Sequence, residues 1–253
     1  MKKKQIPLYK LFPSIITIIA LCMGLTAIKY TFEANFEMAV VMVLIACVMD
    51  GIDGPSARLL KSSSDFGAQL DSLCDLVNFG VAPGVIVYNW RLYELGVFGW
   101  YIILVYVSCT ALRLARYNVE SLSQVALSKF KDNSYFHGIS SPCGGVLILS
   151  PLIATFQLLK EKVIYLPFLG CFIVFIALMM VSRIPTISTK GFAIKKRDIP
   201  FIMALFAIVI AFIFLMPWKV IPILSIIYVI SIPFTWYHYK RKSLFKTLSG
   251  TTS

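Results

Sequence analysis

Charge is scarce in this sequence of 253 residues: Asp, Glu, Lys and Arg make up 14% of it, against 58% for the hydrophobic types. With a mean hydropathy of +0.82, that balance excludes an ordinary soluble domain and fits a polytopic membrane protein. Histidine is scarcer still, limited to His137 and His238, and the six cysteines (Cys22, Cys47, Cys74, Cys109, Cys143 and Cys171) show no C-x-x-C spacing. A zinc or haem site is therefore not expected, and the cysteines read as small buried apolar residues without disulfides. No small-x-small cleavage site closes the apolar run that follows the basic start Lys2, Lys3 and Lys4, so the first segment is expected to remain as a span. No internal repeat is evident either, which weighs against an inverted-repeat transporter.

What the chain does have is apolar windows long enough to cross a bilayer. A hydrocarbon core of about 30 Å takes roughly 20 helical residues. Windows of that kind predict helices over 11–29, 38–60, 66–89, 97–117, 142–159, 164–181, 199–216 and 220–237, the last two separated only by Pro217, Trp218 and Lys219 and so joined by a tight turn there or, as the lesser alternative, forming one bent element. The net charge of +12 does not imply nucleic acid, because the basic residues fall in short clusters between apolar runs. With the N-terminus inside, only Lys29, Arg91, Lys160, Lys162 and Lys219 face outward, leaving the other nineteen of the 24 basic residues on the cytoplasmic side. That asymmetry predicts an even number of spans and both termini in the cytoplasm. The segment 2–13 is amphipathic enough to lie in the interface, and Lys129, Lys131, Lys195, Lys196 and Arg197 are expected to meet anionic lipid.

Acidic residues number only 12, yet Asp50, Asp53, Asp71 and Asp75 fall together on two adjacent apolar segments. An ionised carboxylate near a bilayer centre costs roughly 2.5–3.5 kcal/mol on insertion scales, so four together need an immobile cation, and a pair of divalent ions is the natural candidate. Asp50 and Asp53 stand about 60° apart around a helix, and Asp71 and Asp75 about 40° apart, so each pair shares a face. A short cytoplasmic turn at 59–65 makes the two helices antiparallel neighbours, and the two faces are expected to meet at similar depth. Hard oxygen donors of this kind suit Mg²⁺ or Mn²⁺. Gly54, Ala57 and Gly67 remove side-chain bulk where a flat base or ribose could approach, and Arg58 offers a fork of donors for a diphosphate.

These positions resemble the signature of the CDP-alcohol phosphotransferases, D-x-x-D-G-x-x-A-R, eight or nine residues, then G-x-x-x-D-x-x-x-D. Asp50, Asp53, Gly54, Ala57, Arg58, Gly67, Asp71 and Asp75 fill every fixed position, with an eight-residue spacer. The resemblance implies an all-α polytopic membrane helix bundle of six core transmembrane helices, here followed by two C-terminal ones. It divides the chain into a core over 1–182 and, over 183–253, a basic loop, the two extra helices and a basic tail. It further implies a homodimer, with a polar cavity open to the cytoplasm. In that cavity Asp50, Asp53, Asp71 and Asp75 would hold two divalent ions against the diphosphate of a CDP-lipid, and Asp75 would act as general base. The expected setting is a bacterial or archaeal cytoplasmic membrane.

The acceptor alcohol is read from weaker signals. Ala111–Val119, containing Arg113 and Arg116, and Phe136–Pro142, containing His137, resemble the A-R-F-N-V and F-x-G-x-x-S-P stretches of phosphatidylserine synthases, as does Arg183-Ile184-Pro185. This resemblance implies CDP-diacylglycerol and L-serine as substrates and CMP as a product. Arg113 and Arg116, at helical spacing on a cytoplasmic helix end, would supply a cation for the serine carboxylate, and His137 a polar wall. In the first span Pro13 and Thr17 keep the subfamily's proline and threonine, placing Thr17 among the CDP contacts, while Ser14 and Ala20 stand where it commonly has asparagines. Transfer to glycerol 3-phosphate or inositol phosphate remains an alternative within the class. Outside it, a cation-coupled transporter would spread acidic residues over several spans, whereas these cluster on one hairpin.

Overall fold

The computed structural model describes residues 12–59, 65–126, 136–158, 165–182, 185–186, 208, 211–213 and 215–249. In chain order these form α1 (Phe12–Phe32), α2 (Phe36–Leu59), α3 (Asp65–Asp75), a π-helical segment (Leu76–Val81), α4 (Ala82–Trp90), a 3₁₀ turn (Leu92–Leu95), α5 (Val97–Ala126), α6 (Ser141–Gln157), α7 (Leu166–Val181) and α8 (Pro217–Ser249). The two-residue strands β1 (Phe136–His137) and β2 (Pro185–Thr186) pair antiparallel, tying the entry to α6 to the exit of α7. Three helical stretches, Phe12–Phe32, Phe66–Trp90 and Val97–Glu120, are long and apolar enough to cross a membrane, and Ser141–Gln157, Leu166–Val181 and Pro217–Pro233 are shorter apolar helices. The architecture is an all-helical membrane bundle.

Its packing is that of helices in lipid. The buried positions of α1 are Pro13, Thr17, Ala20, Gly24, Ala27 and Thr31, an alternation of four- and three-residue steps occupied only by small side chains. Phe12, Ile15, Ile18, Ile19, Leu25 and Phe32 stand exposed on the same helix. Lipid tails solvate large aliphatic groups as well as a protein core does, so small residues are placed inward where backbones can approach closely. At the end of α1, Ala34 adopts φ 56°, and the Asn35 side chain accepts the Met38 backbone N–H at 3.2 Å, starting α2. The core is built around Phe79, Ile86, Tyr106, Ile148, Leu149, Ile153, Ile173 and Ile176, all fully buried.

The third expected span differs from a plain helix. Directly after Asp75 it widens into the π segment, where the Ala82 N–H bonds the Val77 carbonyl, and then resumes as α4. Pro83 lacks the N–H that the Phe79 carbonyl would take four residues on. The Tyr106 hydroxyl of α5 donates to that carbonyl instead, at 2.6 Å. At the junction of the last two expected spans, Pro217, Trp218 and Lys219 are the first residues of α8, and the break in the helix falls just before them, at Met216. Backbone bonds of helical spacing lead into and out of Met216, from its N–H to Phe212 O and from Val220 N–H to its own carbonyl. Most of the expected span 199–216, the interfacial segment 2–11 and the basic loop 187–197 lie outside the described residues.

Candidate functional site

The expected second and third spans are neighbours, as the short connection predicted, though the third meets α2 mainly through its π segment and α4. Among the described residues α2 packs against α1, the π segment and α4, while α1 also packs against α3. Thus α1 is wedged beside both, and the aspartates face one another across the space left between α2 and α3. Ligand oxygens of Asp50, Asp53 and Asp71 all lie within 4.8 Å of one another. Asp53 is the most enclosed, at 5% exposure, and one oxygen of Asp71 is buried without a hydrogen-bond partner. The carboxyl of Asp75 meets that of Asp50, so all four carboxylates converge.

Convergent carboxylates with an unpartnered buried oxygen suit a hard divalent cation, which would occupy that lone pair and offset the mutual repulsion. By this test the donor set fits Mg²⁺ or Mn²⁺ as a class. Thr17 is present at the cluster, but as a partner of protein: its hydroxyl lies 2.9 Å from Asp53 Oδ2 and 3.0 Å from the Pro13 carbonyl. Gly54, Ala57 and Arg58 continue α2 beyond Asp53, with their side chains outside what is described. Gly67 lies in the first turn of α3 and is half-buried.

The two arginines of α5 part company. Arg113 lies close enough to Asp75 to act on its charge. Its Nη1 donates to Ser141 Oγ at 2.5 Å, and its Nε is buried with no partner. Arg116 turns to α7 and donates to the Val181 carbonyl at 2.8 Å, satisfying a helix C-terminus that has no N–H of its own to offer it. Gly138 explains that convergence: with φ +76°, its Cα passes so near the end of α7 that a Cβ would lie 2.8 Å from the Met180 carbonyl. His137 is paired in β1 with Pro185, and its side chain lies outside the described residues.

Sequence reasoning did not single out Ser141, the fully buried partner of Arg113, though it sits in the quoted F-x-G-x-x-S-P stretch. Nor did it single out Asn118, whose side chain links α5 to α3 through Ser72 at 3.0 Å and Gln69 at 3.4 Å. A cavity of about 390 Å³ lined by Phe36, Trp90, Tyr93 and Phe156 lies at the opposite end of α2 from Asp50, roughly 20 Å along the helix, and belongs to a different part of the molecule.

The sequence profile of the family described as CDP-alcohol phosphatidyltransferase matches residues 10–132. A protein of Mycobacterium bovis called CDP-diacylglycerol–serine O-phosphatidyltransferase is 33% identical over 225 residues, covering 89% of this chain and 78% of its own length. One of the same name from Helicobacter pylori is 33% identical over 245 residues, covering 94% and 96%. Another from Bacillus subtilis reaches 41% over 108 residues, covering 43% and 61%.

Proposed function

The chain belongs to the CDP-alcohol phosphatidyltransferase family, and we propose that it transfers the phosphatidyl group of CDP-diacylglycerol to the hydroxyl of L-serine, giving phosphatidylserine and CMP. The observation that carries this reading is the convergence of Asp50, Asp53 and Asp71 beside Asp75, with Arg113 within electrostatic range. Carboxylates grip metal, metal grips diphosphate, and a buried guanidinium grips a small anion; those three needs are the needs of this reaction.

Asp50, Asp53, Asp71 and Asp75 would hold the divalent ions, two of them, Mg²⁺ or Mn²⁺. When bound, such ions supply Lewis-acid stabilisation of charge on the diphosphate and the departing phosphate. Asp75 takes the proton from the serine hydroxyl as its oxygen bonds to the phosphorus bearing the diacylglycerol, and the bridging oxygen leaves with CMP. Arg58 meets the diphosphate, and Gly54, Ala57 and Gly67 let the nucleotide lie against the helix backbones. The buried Nε–H of Arg113 is the donor for the serine carboxylate, and Ser141 fixes the guanidinium in place. Arg116, on the same helix as Arg113, and His137 would contribute to the acceptor side of the site. The core over 1–182, the two additional helices, cytoplasmic termini, a site facing the cytoplasm and a homodimer belong to the same proposal.

The test is CMP release from CDP-diacylglycerol by purified protein in detergent, with L-serine, glycerol 3-phosphate or inositol phosphate offered separately. Release is expected only with serine, to be abolished by a chelator and restored by Mg²⁺ or Mn²⁺. Asp75→Asn is expected to slow it by about 10²- to 10⁴-fold, the range of a lost general base. Release with another acceptor would overturn the serine assignment; no release with any, from folded protein, would overturn the transferase reading.

A further inference from the structure

The retained threonine of α1 has a partner that its place in the signature does not announce. Thr17 is buried at 5% exposure, and its hydroxyl lies 2.9 Å from Oδ2 of Asp53, 36 residues away on another helix. A threonine hydroxyl has one proton. The other acceptor in reach is the Pro13 carbonyl at 3.0 Å, the back-bond any threonine makes within a helix. Against it, a carboxylate is the stronger acceptor, since charge-assisted bonds are roughly twice as strong as neutral ones. The proton therefore goes to Asp53.

We propose that Thr17 is a positioning residue for the metal centre: by donating to Oδ2 of Asp53 it fixes the rotation of that carboxylate and so the oxygen presented to a divalent ion. This rests on the metal-binding reading given above. It assigns Thr17 to the protein side of the centre and away from the nucleotide. Asp53 is the most enclosed member of the cluster, so water cannot easily substitute for a missing donor. The packing agrees, because α1 is the helix set against both α2 and α3. Ala20, one turn further along, is buried at 2% exposure and offers no polar group. Thr17 thus brings a hydroxyl from the buried face of α1 to Asp53.

Purified protein in detergent, stripped of metal, is titrated with Mn²⁺ while the free ion is followed by its EPR signal. Thr17→Val keeps the shape and loses the donor; it is expected to weaken Mn²⁺ binding by about 10- to 100-fold, as loss of a partner to a metal ligand does. Thr17→Ser keeps the hydroxyl and is expected to bind as the parent does with metal-free thermal unfolding near parental, whereas Thr17→Val, which takes a donor from an enclosed carboxylate, is expected to unfold somewhat lower without metal as well. Thr17→Ala serves as the donor-free variant should Thr17→Val not fold. Mn²⁺ binding at parental strength in a donor-free variant overturns the proposal, as does a loss in Thr17→Ser equal to that in Thr17→Val. Asp71→Asn in the same titration separates the two readings. If it weakens binding and Thr17→Val does not, only the proposal falls; if it binds like the parent, the aspartate metal site falls and the proposal with it.

Discussion

At the scale of single residues, Arg113 is the sharpest case of a side chain whose surroundings say more than its identity. Its Nη1 is committed to Ser141 while its Nε has no partner in a buried setting, and leaving a charged donor so placed costs free energy unless a ligand completes it. A lysine keeps the charge but not the fork. Arg113→Lys is expected to lower kcat/KM for serine by about 10- to 100-fold, corresponding to one charge-assisted bond of roughly 1.5–3 kcal/mol. The loss should appear mainly as a raised KM for serine with the KM for CDP-diacylglycerol near parental. Steady-state kinetics with each substrate varied would check it, and an equal rise in both KM values would count against the assignment. The aspartates were legible in the sequence because four carboxylates in an apolar setting have few explanations. The separate fates of Arg113 and Arg116 were not, because three residues of helix place both on similar faces and only the positions of α6 and α7 tell them apart.

At the scale of elements, the apolar runs announced α1, α2, α6 and α7 within a few residues of their ends, since a bilayer imposes both length and composition, and the start of α5, which runs nine residues past the expected 117 to Ala126. The widened turn between α3 and α4 left no such trace. Pro83 hints at it by withholding an N–H, but the compensating donor, Tyr106, comes from a helix more than twenty residues on. The bond matters because the segment begins at the residue after Asp75, so its width sets how α3 is phased against α4. Tyr106→Phe leaves the buried Phe79 carbonyl unpaired and is expected to destabilise the folded protein by about 1–3 kcal/mol. A lowered midpoint of thermal unfolding in detergent would register it; an unchanged midpoint would mean that water or a relaxed helix takes the carbonyl. The exact junction of the last two expected spans was not legible for a related reason: proline is equally at home in a turn and in the first turn of a helix, and here it opens α8, with the break at Met216.

At the scale of the whole molecule, the asymmetry of Lys and Arg makes a prediction about sidedness. In a background without the native cysteines, Tyr93→Cys lies in the 3₁₀ turn before α5 and Ser249→Cys at the end of α8. An impermeant maleimide added to intact cells is expected to label the first and spare the second until the membrane is opened. Labelling of Ser249→Cys in intact cells would reverse the orientation of the C-terminus. The stripe of small residues on α1 carries a consequence of another kind. Where Gly24 faces Asn78 closely enough that a Cβ would strike its side chain, while Ile18 and Leu25 stand in the open, tolerance to mutation runs opposite to hydrophobicity. Over evolutionary time the large aliphatic positions are free to drift among one another, and it is the alanines, glycine and threonines, the least conspicuous letters of the segment, that the lineage has to keep.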